Sequence, residues 1–108
     1  MWNLKKLSLL YVVYPKKDRK LKAFITSLLK DGHIICANIF NGMESQYIWE
    51  NKIETSQEIV VIYKIKSEMA AKVSVLVEKS HPYKVPFIAL IDLKSVKKRY
   101  LNYAKLTT

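Results

Sequence analysis

The sequence predicts an α+β domain of the ferredoxin-like kind, in βαββαβ order, with a long hairpin between its second and third strands and a C-terminal helix. Three observations predict it. Apolar runs rich in β-branched and aromatic residues recur at 7–14, 34–40, 59–65 and 87–91, each of strand length. Amphipathic stretches with helical spacing separate the first run from the second and the third from the fourth. Between the second and third runs there are only strand and turn signals, so those two pair directly. Two helices on one face of a four-stranded antiparallel sheet satisfy all three.

The first strand, 7–14, ends at Pro15. Asp18 is placed to cap the helix that follows, whose inward face reads Leu21, Phe24, Ile25, Leu28 and Leu29 and whose stop is Gly32. The second strand runs over 34–40. Asn41-Gly42 is either a tight turn or a bulge in one long strand that resumes over Met43 to Trp49. Glu50-Asn51-Lys52 is a further turn candidate, with Asn51 able to take positive φ. Ser67 looks like the cap of a second helix, with Glu68 in its first turn and Met69, Val73, Leu76 and Val77 facing inward. Pro82 and Pro86 stiffen the connection to the last strand. Ser95 is placed to cap a terminal helix that packs through Val96, Tyr100, Leu101 and Tyr103 or Ala104.

Composition narrows the class. The chain has 108 residues, 50% of them apolar, which suits one domain over 1–108 with one core and excludes disorder. A lone Cys36 excludes a disulfide scaffold. No uncharged apolar stretch reaches membrane-spanning length, and no repeat or low-complexity tract appears. Lys5 and Lys6 before the first apolar run imitate a signal peptide, but Pro15-Lys16-Lys17 follows where a small-residue cleavage site belongs. The run is therefore expected to be a strand, and the protein cytoplasmic.

Chemistry is sparse. Cys36 sits inside an apolar strand, where a cysteine is ordinarily a small buried hydrophobe. His33 reads as a loop residue; His81, held by the following Pro-Tyr, is the better candidate for contact with a ligand or partner. No phosphate-cradling glycine loop, zinc motif or readable carboxylate pair is present, so the protein is expected not to be an enzyme. An RNA-recognition surface needs aromatic platforms on the first and third strands; Tyr63 is the single aromatic over 58–66, so nucleic acid is not the expected partner. The hairpin stays apolar to its tip, with Met43, Tyr47, Ile48, Trp49 and Ile53. Unpaired apolar strands need a cover. Another copy of the chain is the expected one; the alternative is that the tail helix and the Trp2–Leu4 segment fold back over it.

Four ordered motifs then carry a resemblance. Cys36-Ala37-Asn38-Ile39, Tyr47-Ile48-Trp49-Glu50-Asn51-Lys52, Glu58 to Lys64, and His81-Pro82-Tyr83-Lys84-Val85-Pro86 resemble the CutA divalent-cation tolerance family. Its patterns read A-C-V-N-I, Y-x-W-E-G-K, E-x-x-L-x-x-K-T and H-P-Y-E-V-P-E. The likeness spans about Leu7 to Leu106. It implies a PII-like homotrimer built through the hairpins (Tyr47, Ile48, Trp49, Ile53) and a link to divalent metal tolerance, with copper(II) or another divalent cation as the implied ligand and no required cofactor. His81 is the carried-over metal residue, and Cys36, Asn38, Trp49, Tyr83 and Lys84 are expected at a cleft between subunits. Lys84 and Phe87 stand where the motif has Glu, and Val12 and Ser80 align with the other copper ligands, which weakens a cation site. A PII-like module for a small anion, using Lys84 and Lys64, is the alternative reading.

The net charge of +10 is uneven. Residues 1–33 carry 8 basic and 2 acidic side chains, 34–66 carry 3 and 4, and 67–108 carry 8 and 3. The hairpin expected to join copies is thus nearly neutral, as an assembly core should be.

Overall fold

A computed structural model describes the backbone of residues 2–3 and 7–107 and the side chains of 7–105. Leu4, Lys5 and Lys6 lie outside the described residues. The strands are β1 (Trp2–Asn3), β2 (Leu7–Pro15), β3 (Cys36–Trp49), β4 (Lys52–Lys66), β5 (Ile88–Asp92) and β6 (Val96–Lys97). The helices are α1 (Leu21–Lys30), α2 (Ala70–Ser80) and α3 (Lys98–Thr107). Four strands form an antiparallel sheet in the order β3-β4-β2-β5, and β1 pairs with β6 separately. This is the expected ferredoxin-like sheet.

Alternation of side chains along β2 and β4 divides the sheet. Leu10, Val12 and Tyr14 from β2 and Ile59, Val61, Tyr63 and Ile65 from β4 meet Leu21, Ile25 and Leu28 of α1 and Ala70, Val73 and Val77 of α2. Positions one residue out of step point to the opposite face. On that face a small cluster of Leu7, Ile35, Leu101 and Ala104 seats α3 at one end of the sheet.

Several local expectations are corrected. Leu29 is exposed, because α1 meets the sheet through Leu21, Ile25 and Leu28, with Phe24 partly buried beside them. Asp18 does not sit at the N-cap; Lys20 does, and the Asp18 carboxylate accepts the Lys20 N–H at 3.1 Å from the turn before it. Ser67 opens a 3₁₀ turn (Ser67–Met69) rather than capping α2, and its hydroxyl is instead hydrogen-bonded to Ser8 at 2.8 Å. Val96 belongs to β6, where it pairs with Asn3, so the terminal helix starts at Lys98 and not behind Ser95. Tyr103 is exposed while Ala104 is buried. Gly32 does end α1: at φ 73° it lets its own N–H reach Leu29 O and that of His33 reach Leu28 O, closing the helix carbonyls.

The hairpin resolves in favour of one long strand. β3 passes straight through Asn41-Gly42, with a register break between Phe40 and Met43 and Gly42 at φ 73°. The actual turn is Glu50-Asn51, with φ of 49° and 63°, flanked by the Trp49–Lys52 pair; both residues positive is the type I′ signature. Fourteen residues at about 3.3 Å each reach roughly 46 Å, which accounts for the 49 Å long axis of the molecule. Beyond the Pro15–Glu58 pair, where β2 ends, β3 and β4 continue alone. Neither α3 nor β1 folds back over them: α3 sits on Leu7 and Ile35, at the other end of the sheet.

Candidate functional site

Proline chemistry places His81. The residue before a proline disfavours helical backbone, and His81, before Pro82, is extended at φ −72°, ψ 134°, so α2 stops there. The imidazole then stacks on Tyr14, with ring centroids 4.6 Å apart and planes 13° from parallel. The β2–β5 ladder ends at Val12–Ile88, one residue short of Val13. The Val13 N–H goes to Phe87 O at 3.4 Å, and its carbonyl lies 2.6 Å from His81 Nε2. His81 Nδ1 accepts the Tyr83 N–H at 3.0 Å. A backbone N–H can only donate and a carbonyl can only accept, so His81 is neutral with its proton on Nε2. Its one ring lone pair is already in use.

Tyr83 extends the latch. Its ring tilts against His81 at 5.0 Å, and its hydroxyl donates to Glu58 Oε2 at 2.9 Å. Burial, reinforced by that carboxylate, pushes the phenol up to about 12. Glu58 pairs with Pro15 on one side and Met43 on the other, at the root of the projecting hairpin. The connection from α2 to β5 is therefore pinned to the place where β3 and β4 leave the sheet.

The other expected site residues scatter within one chain. Trp49 is six residues past Met43, about 20 Å further along the strand; it shares the tip with Tyr47, Ile48 and Ile53, all exposed. Lys84 is exposed on the 81–87 connection. Cys36 is half-buried opposite Lys64, against Tyr100 of α3, and the Tyr100 phenol is raised by burial with Cys36 adding to it. Asn38 is exposed beside Ile62. Of the expected set, His81 and Tyr83 are in ring contact, and Tyr47 lies close enough to act on the Tyr83 phenol. Among the described residues, no group of three or more His, Cys, Asp or Glu side chains converges on a point. Sequence reasoning missed Tyr14 and the Val13 carbonyl, which hold His81, and did not give Glu58 its role. Glu58 stood in a quoted motif; a backbone acceptor leaves no mark in a sequence.

Behind His81, the Tyr14 and Tyr63 hydroxyls are hydrogen-bonded at 2.6 Å in the core. Burial raises the Tyr14 phenol to about 12 and pushes Tyr63 up as well. A phenol that stays protonated in the fold while ionising at about 10 when unfolded contributes stability below pH 10 and loses it above. Urea unfolding should therefore show stability falling from pH 10 toward 12, by about 1.4 kcal/mol per pH unit for each such tyrosine. Tyr14→Phe should flatten that decline; an equally steep fall in the variant contradicts the assignment.

A model of the family described as CutA1 divalent ion tolerance protein matches residues 8–107. The divalent-cation tolerance protein CutA of Thermococcus kodakarensis is 34% identical over 95 residues, covering 88% of this chain and 89% of that one. The chloroplastic protein CutA 1 of Oryza sativa subsp. japonica is 31% identical over 98 residues, 91% of this chain; the chain spans 55% of that protein's length. Among solved structures, the divalent ion tolerance protein CutA1 from Ehrlichia chaffeensis superposes with a TM-score of 0.87 at 28% identity, covering 97% of each chain.

Proposed function

The chain belongs to the CutA1 divalent ion tolerance family, and from that premise we propose that it acts in divalent-cation tolerance as a self-assembling, non-catalytic protein. Copies join through their hairpins, three to a ring as the resemblance implies, and the cation is met between copies rather than within one. Copper(II) is the ion we favour. The cytoplasm is the compartment we favour, on the free thiol of Cys36.

The observation that carries this reading is the uncovered hairpin. Ile48 is 74% exposed, Ile53 71% and Trp49 63%. Apolar side chains so exposed on a projecting ribbon are unfavourable in a free monomer and favourable as a contact between copies. Such a contact would bring the Trp49 end of one copy toward the His81–Tyr83–Lys84 connection of another. His81 serves this cleft as a positioning residue, since its lone pair is taken by the Tyr83 N–H. The ligand set would be supplied by several copies at once, because durable sites need three or four converging groups.

Copper(II) titration of the assembled protein and of the double variant Tyr47→Lys/Trp49→Lys tests the cation claim. Binding in the assembly that disappears in the variant supports it. Equal binding in both places the site within one chain, and no binding in the unmodified protein removes the copper assignment.

A further inference from the structure

On the helix-covered side, the turn from β2 to α1, the last turn of α2 and Pro82 line two adjoining open cavities of about 360 and 390 Å³. They share Asp18, Lys20 and Ser80. We propose that they form one binding site for a small phosphomonoester carrying a flat apolar body.

The charge is the first support. Lys20 lines both cavities, Lys79 the first, and Lys17 and Arg19 the second, against the single carboxylate of Asp18. Among the described residues none of these four cations is held in an ion pair. Asp18 already accepts the Lys20 N–H, so its carboxylate is turned into the loop. Several cations around one carboxylate leave a positive potential that suits a phosphate dianion better than a monovalent acid.

The wall is the second. Phe24, partly buried, and the buried Tyr14 and Leu21 supply an apolar wall to the first cavity. Both cavities carry cations, but only the first has aromatic side chains in its lining, so an apolar body fits there and a charged head fits the second. Dipoles agree with that orientation. The α1 N-terminus adjoins Lys20 and favours an anion, whereas the C-terminal carbonyls of α2 adjoin Lys79 and Ser80 and oppose one. The phosphate accordingly belongs beside Lys17, Arg19 and Lys20, with the apolar body toward Phe24. The cavities lie within a single chain and involve none of the hairpin residues.

Calorimetric titration with phenyl phosphate, inorganic phosphate and phenol, with EDTA present throughout, tests the site on the intact protein. Phenyl phosphate should bind most tightly, inorganic phosphate more weakly, and phenol not measurably. Lys17→Gln/Lys20→Gln should weaken phenyl phosphate about tenfold, while the charge-matched Lys98→Gln/Lys105→Gln, on α3 across the sheet, leaves it unchanged. All four are exposed side chains, so folding is preserved. Equal weakening in both variants would mean attraction to overall charge and overturns the proposal. So does no phenyl phosphate binding up to about 10 mM, or phenyl phosphate binding no tighter than inorganic phosphate.

Discussion

His81→Ala is expected to cost about 3 kcal/mol of stability, because it orphans two backbone groups at once. His81 is 8% exposed, and its ring stacks on Tyr14. Without it the Val13 carbonyl loses the Nε2 donor and the Tyr83 N–H loses the Nδ1 acceptor. The lost donor leaves an acceptor at a strand end that no neighbouring strand can supply, since the β5 ladder has already stopped at Ile88. Loss of the stack adds to this. Released from His81, Tyr83 no longer holds its hydroxyl on Glu58, and the 81–87 connection gains freedom. Urea unfolding at neutral pH measures the effect, with Lys84→Ala as the exposed comparison, expected within about 0.5 kcal/mol of the unmodified protein. A His81→Ala loss below about 1 kcal/mol would contradict the latch.

The second large effect belongs to the hairpin. Tyr47 and Trp49 pair with Glu54 and Lys52 near its tip, on strands with no further strand beside them. Tyr47→Lys/Trp49→Lys is expected to leave the core intact and to prevent assembly. Burying a large apolar side chain contributes about 1.5–3 kcal/mol, and in a closed ring that loss recurs in every copy. The unmodified protein should melt at a temperature that rises with protein concentration. The variant should melt lower and without that dependence. A variant that still assembles would place the contact elsewhere.

Sequence patterning made the sheet and both covering helices legible because each buries one regular face. Val73 and Val77 of α2, or Leu10, Val12 and Tyr14 of β2, recur at the period of their element. Asn51 in the turn was legible for a different reason: few residues tolerate positive φ. Where the sequence misled, a local preference lost to a distant partner. Ser67 has a capping side chain, but Ser8, 59 residues away, took its hydroxyl. Ser95 preceded a helical pattern, but β1 drew Val96 into a strand. At the site, His81 was found by its motif while its role was not. The Val13 carbonyl that engages it is a backbone atom whose availability depends on where a ladder ends. The expected cleft residues lie apart in one chain; under the proposed assembly their meeting would need a second copy.

That dependence makes the state of assembly the decisive quantity. Light scattering coupled to size exclusion, run on the unmodified protein at micromolar concentration, measures it directly. Three hairpin-joined copies of a 12.6 kDa chain give about 38 kDa. A stable 12.6 kDa species would contradict the account.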